Sequence, residues 1–360
     1  MGKILNEINI ARSEFIIMTK ELQRKLRKEI APFEKSKLSS SVWQMVNSMI
    51  PFFILWFLAY QSLSVSYLLT LLCAIPAAGF LIRIFIIFHD CCHQSFFKNR
   101  KANDVVGTIT GILTLFPYKQ WRHNHNVHHA TSGNLNKRGV GDIWVMTVQE
   151  YEKATFWQKV AYRLYRNPLV MFLIGPFYLL FITNRFNRKK AKMNERLNTY
   201  FINFSIVFIY GMMCWLIGWQ AFLLIQGPIS FIASSLGIWL FYIQHHFEDS
   251  YFESDQEWDF IKAAVDGSSF YKLPKWAQFI TGNIGYHHVH HLSPRVPNYY
   301  LEDVHNHTDE LNAVPTVTLR TSLKALKYRL WDEKNNEFVS FKEIKKRRAI
   351  NHKLTQKLAD

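Results

Sequence analysis

Histidines form three closely spaced groups in this chain. There are 15 histidines among 360 residues, a frequency at which a chance His-x-x-His-His should arise in roughly one such chain in forty. That pattern occurs twice here, and a third group has two histidines four residues apart. Residues three and four apart lie on one face of a helix, so each group can direct its imidazoles to one centre. The groups are His89 and His93, then His125, His128 and His129, and finally His287, His290 and His291.

The number and type of these side chains predict a centre of two metal ions. Imidazole binds zinc, copper, iron and nickel well, and eight histidines exceed what one ion needs. The metalloprotease pattern His-Glu-x-x-His, which would supply a general base beside zinc, is absent from the sequence. Soluble di-iron bundles use Glu-x-x-His twice, and this chain has it once, at Glu302 and His305. We therefore predict two non-haem iron ions, held by histidines, that activate O2 and attack an unreactive C–H bond.

The composition predicts a membrane protein with several spans. Hydrophobic residues make up 49% of the chain and aromatic residues 16%, and the apolar residues are concentrated in long runs. The formal net charge is +16. Beside apolar spans, such an excess indicates cytoplasmic basic loops and contact with anionic headgroups rather than binding of nucleic acid. The four cysteines have no spacing typical of a disulfide framework or a structural zinc site.

The apolar runs predict an all-α integral membrane fold. Two spanning helical hairpins, with short re-entrant or interfacial segments, would support a cytoplasmic helical cap that carries the histidines. Four runs approach the roughly 20 residues needed to cross a bilayer. The expected parts are an amphipathic cytoplasmic segment (1–41), a membrane domain (42–305) and a basic cytoplasmic tail (306–360). The predicted spans are 42–63, 67–88, 200–218 and 228–245, and the short segments are 105–117 and 169–183.

Counting the spans places all histidine groups on one side of the membrane. The run NRFNRKKAKMNER follows the second short segment, and basic loops favour the cytoplasm. If the N-terminus is inside and the short segments do not cross, each hairpin leaves the cytoplasm and returns to it. All three groups then lie at the cytoplasmic face of the cell membrane, as a shared centre requires. If both short segments cross, the 125–129 group lies outside, away from the others.

At these motifs the sequence resembles the integral-membrane fatty acid desaturases. That family has three histidine boxes, H-x3–4-H, H-x2–3-HH and H/Q-x2-HH, and the resemblance runs from about residue 45 to 305. In the first box Cys92 stands where many relatives have glycine. Four blocks are especially similar to bacterial acyl-lipid desaturases of the delta-5 type: FHDCCHQSFF, HHATSGNLNKRGVGDIW, YIQHHFEDSYF and GNIGYHHVHHLSPRVPNY.

The resemblance implies a ninth ligand, because the family adds a histidine on the last hairpin. The family's Gln-His matches Gln244-His245, so we expect His245 rather than His246 in this role. The family's reaction takes O2 and two electrons, introduces a cis double bond into an acyl chain and releases water. The expected substrate is the acyl chain of a membrane phospholipid. The expected electron source is a separate ferredoxin-, flavodoxin- or cytochrome-type donor, which could dock on the basic loop or tail because small electron carriers are usually acidic. The oligomeric state, and the choice between lipid-linked and CoA-linked substrates, stay open.

Five further residues are candidates for positions beside the ligands. Carboxylates and second histidines in such positions orient ligating imidazoles through hydrogen bonds. A simpler interpretation exists for one of them, since Asp142 also ends the turn sequence Gly-Val-Gly-Asp. The candidates are Asp90, Asp142, His123, His246 and His288.

Three other functions share part of this pattern. A membrane hydroxylase or alkane monooxygenase would use the same boxes and diverge only after hydrogen abstraction. A bis-histidine haem protein needs histidines well inside facing spans, whereas these stand at the ends of apolar runs. A metal-ion transporter needs polar ligands in mid-membrane, and the runs 48–65 and 201–217 supply none.

Overall fold

The computed structural model describes residues 21–347 and 349–350, which are mostly helical. Four of these helices are long and apolar enough to cross a membrane, which confirms the prediction of a helical membrane protein with four spans. The α-helices in chain order are α1 (residues 21–30), α2 (Leu38–Ser62), α3 (Tyr67–His93), α4 (Arg100–Thr114), α5 (Tyr118–Thr131), α6 (Val148–Lys153), α7 (Phe156–Tyr165), α8 (Gly175–Phe181), α9 (Met193–Ile217), α10 (Trp219–His245), α11 (Phe260–Val265), α12 (Lys275–Ile280), α13 (His287–Leu292), α14 (Leu301–His307), α15 (Leu319–Ser322) and α16 (residues 341–347). The four candidate spans are α2, α3, α9 and α10.

Helix α3 is the most enclosed of the four spans. In its most apolar window 56% of the residues are buried, against 22% for α2. Its buried Ala74, Ala77 and Ala78 let neighbouring helices approach closely, as small residues do in membranes. By contrast, α2 exposes large apolar side chains such as Phe53 and Phe57, which suit contact with lipid. Helix α3 therefore forms the centre around which α2, α4 and α10 pack.

Helix α3 continues beyond its predicted end at residue 88. The apolar run stops there, but residues 89–92 are buried by other parts of the protein and remain helical as far as His93. The helix ends at Gln94, whose φ of 62° is left-handed and whose backbone N–H bonds to carbonyls of the last turn. The Gln94 side chain also donates to the Cys91 carbonyl at 3.1 Å and to Asp104 Oδ1 at 3.0 Å. The first histidine pair therefore lies in the last turns of a helix whose C-terminus is capped by Gln94.

The second hairpin turns at Gly218, not near Pro228. Gly218 has a φ of +86°, a conformation that glycine adopts without steric cost. Helix α10 then runs through Pro228 to His245, so the predicted start of this span at 228 was too late. A proline inside a helix removes one backbone hydrogen bond, but membrane helices tolerate it when neighbouring groups satisfy the freed carbonyl.

The two short apolar segments form helices of less than spanning length. Most of the 105–117 segment lies in α4, whose N-cap Asn99 accepts hydrogen bonds from two backbone N–H groups of the first turn. The 169–183 segment lies in the second member of a bent pair, Phe156–Tyr165 and Val170–Arg185, with 64° between them. This shape fits either a broken span or a re-entrant loop, so an interfacial position for these segments stays a prediction.

The cap contains two small sheets in addition to the predicted helices. The strands are β1 (Met146–Thr147), β2 (Phe270–Lys272), β3 (Thr316–Thr318), β4 (Leu330–Asp332) and β5 (Glu337–Val339). One sheet has the order β1-β4-β5 and the other pairs β2 with β3 in parallel. Residues of the expected tail supply three of these five strands. The segment 306–347 therefore folds into the cap, and its Trp331 is buried there.

Helix α1 packs against the same cap. Its Leu26 and Ile30 are buried, and Lys25 forms an ion pair with Glu310. The remainder of the expected N-terminal segment, residues 1–20, lies outside the described residues, as do residues 348 and 351–360.

Helix α4 leaves no space for a side chain at Gly107. A Cβ there would lie 2.2 Å from Cε2 of the buried Tyr118, whose hydroxyl donates to the Cys91 carbonyl at 2.8 Å. We expect Gly107→Ala to displace this ring and to lower the free energy of unfolding by about 1–3 kcal/mol, as overpacking does. Thermal and denaturant unfolding of the detergent-solubilised protein measure the change.

The matched control is Gly211→Ala, because a Cβ at Gly211 meets nothing within 4 Å. It should change the free energy of unfolding by less than about 1 kcal/mol. Equal stability of the two variants would contradict the close packing of α4 on Tyr118.

Candidate metal centre

Nine histidines meet inside the protein in two groups. Within each group, one ring nitrogen of every histidine lies within 4.8 Å of the corresponding nitrogens of the others. Eight of the nine come from the three boxes, and the ninth is His245 at the end of α10. The first group is His89, His93, His125, His129 and His290, and the second is His128, His245, His287 and His291.

Helical periodicity divides two of the boxes between the groups. On α5, His125 and His129 are four residues apart and share the first group, whereas His128 belongs to the second. On α13, His287 and His291 belong to the second group and His290 belongs to the first. Each of these helices therefore lies between two centres, while α3 contributes only to the first centre and α10 only to the second.

Nitrogens from different helices approach as closely as ligands of one metal ion do. His245 Nε2 lies 3.1 Å from His128 Nε2 and 3.0 Å from His287 Nε2. In the first group, His290 Nε2 lies 3.0 Å from His129 Nε2. Nitrogens bound about 2.1 Å from one ion are separated by roughly 3.0–3.4 Å in octahedral or tetrahedral geometry. The histidine clusters therefore have a geometry that can hold a metal ion in each group.

Two other imidazole nitrogens support this fit. Nε2 of His93 and Nε2 of His291 are buried without a hydrogen-bond partner. Leaving a buried polar atom unpaired costs about 1–3 kcal/mol. An ion at the centre of each group gives both nitrogens a partner.

Burial keeps five of the imidazoles on α5 and α13 in the form that binds metal. Desolvation lowers the pKa of each well below its ordinary value, and neighbouring histidines lower the pKa further. At neutral pH these rings are therefore uncharged and have a free lone pair, which ligation requires. The residues concerned are His125, His129, His287, His290 and His291.

Asp142 orients one of the histidines. Its Oδ1 lies 2.5 Å from His128 Nδ1, which directs Nε2 of that ring at the second group. Its Oδ2 accepts the Gly139 backbone N–H at 3.2 Å. The turn also needs Gly141, whose φ is +77° and where a Cβ would lie 2.8 Å from the Asn124 carbonyl. Asp142 is therefore both a turn residue and a partner of a box histidine.

Asp90 has the same relation to His89. Its Oδ1 lies 3.0 Å from His89 Nδ1, and its Oδ2 accepts the backbone N–H and Nδ2 of Asn298 at 2.7 and 2.8 Å. Gln44 of α2 in turn donates to Asn298 Oδ1 at 3.0 Å. Sequence reasoning missed Asn298 and Gln44, although Asn298 lies in the block that follows the third box. These bonds tie the segment after α13 to the first hairpin.

The backbone orients His245. Its Nδ1 donates to the Gly267 carbonyl at 3.1 Å, a partner that no residue type in the sequence reveals. The neighbouring His246 lies elsewhere: its ring stacks on Tyr242, with centroids 4.8 Å apart, and contacts the tilted ring of Phe338 at 5.4 Å. The structure thus brings His245, and not His246, to the other histidines.

The two remaining candidates lie outside both groups. His288 points away from its neighbour His287, and its Nε2 is 3.0 Å from His305 Nδ1. His123 is half-buried on α5 and belongs to neither group. Of the five candidates for supporting positions, the two carboxylates contact ligand-type histidines directly through hydrogen bonds.

Aromatic side chains enclose the centre. Trp121 stacks on His125 with ring centroids 4.2 Å apart. Phe241 contacts His128 at 5.1 Å on the other side. A cavity of about 20 Å3 beside Phe241 and His245 has room for roughly one water-sized molecule. Bulk water is therefore kept from most of the histidine nitrogens.

Several known proteins are similar in sequence to this chain over most of its length. Residues 62–319 match the model of the family described as Fatty acid desaturase. A fatty acid desaturase of Bacillus subtilis (strain 168) is 61% identical over 323 residues, which are 90% of this chain and 92% of that protein. An omega-6 chloroplastic fatty acid desaturase of Arabidopsis thaliana is 28% identical over 63% of this chain and 50% of its own length. An sn-1 oleoyl-lipid 12-desaturase of Synechocystis is 26% identical over 63% of this chain and 64% of its own length.

The region that matches the family model contains all nine clustered histidines and the spans α3, α9 and α10. It covers more than half of the chain, and the Bacillus subtilis protein extends the similarity to nearly all of it. The chain therefore belongs to the fatty acid desaturase family of membrane oxidoreductases.

Proposed function

We propose that this protein introduces a cis double bond into the acyl chains of membrane phospholipids, with O2 as the oxidant, and so adjusts membrane fluidity. The observation that carries this proposal is the pair of histidine groups at the ends of the apolar helices α3 and α10. A centre in that position can meet an acyl chain that enters the protein from the bilayer. Membership of the desaturase family supports the same chemistry.

Two non-haem iron ions are the proposed cofactors. The five-histidine group would hold one and the four-histidine group the other. Imidazole is a suitable ligand for iron, and the orienting carboxylates resemble those beside other metal-bound histidines. When bound, the ions would supply the activation of O2 that removes two hydrogens from an unreactive chain.

The protein's own residues position and protect that chemistry. Asp90 and Asp142 fix the rings of His89 and His128 through their Nδ1 atoms. Their negative charges also balance part of the charge that two cations bring into the interior. Trp121 covers the ring of His125, which helps to exclude water and so limits side reactions.

A lipid-linked substrate is the proposed form. The Synechocystis relative is named an sn-1 oleoyl-lipid 12-desaturase, which supports a lipid-linked acyl chain rather than a CoA ester. For the double bond we propose the delta-5 position, because the blocks around the histidine boxes resemble desaturases of that type. The position depends on the path length from the headgroup to the metal pair.

The proposed location is the cytoplasmic membrane, with the centre on its cytoplasmic side. Helices α3 and α10 both end at the histidines, which supports hairpins that return to one side. The basic loop at 185–196 supports the cytoplasm as that side. Electrons would come from a separate ferredoxin- or flavodoxin-type carrier.

The fatty acids formed on expression test the proposed desaturase activity. In a host that makes only saturated fatty acids, expression should yield monounsaturated phospholipid acyl chains with a cis bond at the delta-5 position. Gas chromatography with mass-spectrometric location of the double bond measures this. Hydroxylated acids would indicate the related hydroxylase reaction instead, and the absence of any new fatty acid would refute both.

Removing one histidine from either group should empty that group. We expect His290→Ala and His128→Ala each to lose iron from their own group and to make less than about one hundredth of the wild-type product. Elemental analysis of the purified protein measures iron per chain, and membrane fractionation checks insertion. The control is His123→Ala, on the same helix α5, which should keep both its iron and its activity. Near wild-type product from His290→Ala would rule out a shared site.

Asp142→Asn tests the orienting hydrogen bond. The amide keeps the shape of the side chain but not its charge, and its NH2 group favours the wrong tautomer of His128. We expect iron retention against a chelator, or turnover, to fall about 10- to 100-fold. Asp255→Asn is the control, since Asp255 forms an exposed pair with Lys137 and should have less than about a twofold effect. Equal effects of both changes would exclude a specific role for Asp142.

A further inference from the structure

A cationic cleft opens beside the first histidine group. Its volume is about 990 Å3, and five cationic side chains line it against one carboxylate, that of Glu34. Glu34 is engaged by Ser293 at 2.8 Å and by Arg295 at 3.4 Å, so the cleft has a net positive charge. The cationic residues are Lys35, Lys98, Arg100, Arg122 and Arg295.

The cleft reaches the centre itself. His93 lines it and is the one member of the two histidine groups that is not fully buried. Its Nε2 is nevertheless buried, so the ring joins the inside of the first group to the wall of the cleft. The cleft lies where α2 and α4 begin and α3 ends, which is the end of the first hairpin that carries the histidines.

The cleft charges are available to a partner. Lys35, Lys98 and Arg100 are exposed and form no ion pair within the described part of the chain. The other two cleft cations are paired, Arg122 with Asp104 at 3.4 Å and Arg295 with Glu34 at 3.4 Å. Positive charge around a concave surface attracts negatively charged proteins and speeds their association.

The basic loop and the C-terminal region, where the sequence suggested docking, use several of their cations internally. Arg188 makes two hydrogen bonds with Glu195, at 3.0 and 3.1 Å. Arg185 donates to Asn203 at 2.7 Å. Near the C-terminus, Arg347 binds Asp332 and Glu337. These contacts stabilise the fold, and none of these three arginines lines the cationic cleft or the small cavity beside Phe241.

We propose that this cleft is the docking site of the acidic one-electron carrier and that electrons enter the centre past His93. The proposal rests on the desaturase function proposed above. The overall reaction would be R–CH2–CH2–R′ + O2 + 2 e⁻ + 2 H⁺ → R–CH=CH–R′ + 2 H2O. Two reduced carriers each give one electron and leave oxidised, the C–H bonds supply two electrons, and O2 accepts all four.

The form of the cleft favours a protein partner over a phosphate headgroup. Four of the five cations are exposed, and the five together come from four separated parts of the chain. Such charges act on a large partner during encounter, whereas a phosphate site gathers convergent donors around one anion. A protein carrier would also bring its cofactor to the open side of His93.

The test compares two charge reversals of equal size. Lys98→Glu with Arg100→Glu alters the cleft, and Lys189→Glu with Lys190→Glu alters the exposed part of the basic loop. Lys98 and Arg100 flank the N-cap of α4, where acidic residues stabilise a helix, so folding should be preserved. Both variants are purified at full length with iron, and size-exclusion profiles and iron content are matched to the wild type.

The first readout is binding of a purified acidic ferredoxin, by calorimetry at low and at physiological salt. The cleft variant should bind about tenfold more weakly, and the loop variant within about twofold of wild type. The wild-type affinity should fall with salt, and the cleft variant should show less salt dependence. In turnover, the KM for reduced ferredoxin should rise in the cleft variant while kcat changes little.

Unchanged ferredoxin affinity in the cleft variant overturns the proposal, as does an equal loss in both variants. A cleft variant that binds ferredoxin normally but fails only on vesicles of anionic phospholipid identifies a headgroup site instead, and also overturns it. Because binding is measured without catalysis, a wild-type protein that binds ferredoxin in the cleft but forms no double bond refutes the proposed function alone.

Discussion

The convergence of nine imidazole nitrogens in the interior is the constraint on which this structure depends. His245 Nε2 has two other ring nitrogens within 3.1 Å. His128 and His245 each donate from Nδ1, to Asp142 and to the Gly267 carbonyl, so their two Nε2 atoms direct lone pairs at each other. A cation in the second group removes this conflict, and a cation in each group gives the unpaired nitrogens of His93 and His291 a partner. The helix ends, the orienting carboxylates and the cap all hold this arrangement.

The membrane helices α3 and α10 carry polar ligands at their ends, next to the apolar spans. Ligands in the middle of the bilayer would be costly, and here they occur only as α3 and α10 end. Gln94 closes α3 immediately after His93, and the Gly267 carbonyl accepts a hydrogen bond from His245 at the last residue of α10. The ligands are therefore held at the edge of the apolar spans and not within them.

The basic residues of this protein have two different surroundings: some bond to neighbouring groups of the fold, and others are exposed beside His93. Arg185 and Arg188 satisfy neighbouring groups of their own fold, although their sequence resembles a free basic loop. The cations near His93 remain exposed, and on the cytoplasmic side they would lie within reach of soluble proteins. A count of basic residues cannot separate these uses, because it ignores which partners each side chain meets after folding.

The sequence by itself determined the membrane architecture and the histidines that can act together on one helix, because apolar runs and i, i+3, i+4 spacing are properties of neighbouring residues. Only the tertiary structure divided the boxes between two centres, since His128 joins His245 and His129 joins His290 across more than a hundred residues. Packing alone brought Asn298 to Asp90 and the expected tail into the cap. It also placed the second turn at Gly218, before the predicted start of the last span at 228. Contacts between distant residues depend on how whole helices pack, and local residue patterns do not specify that packing.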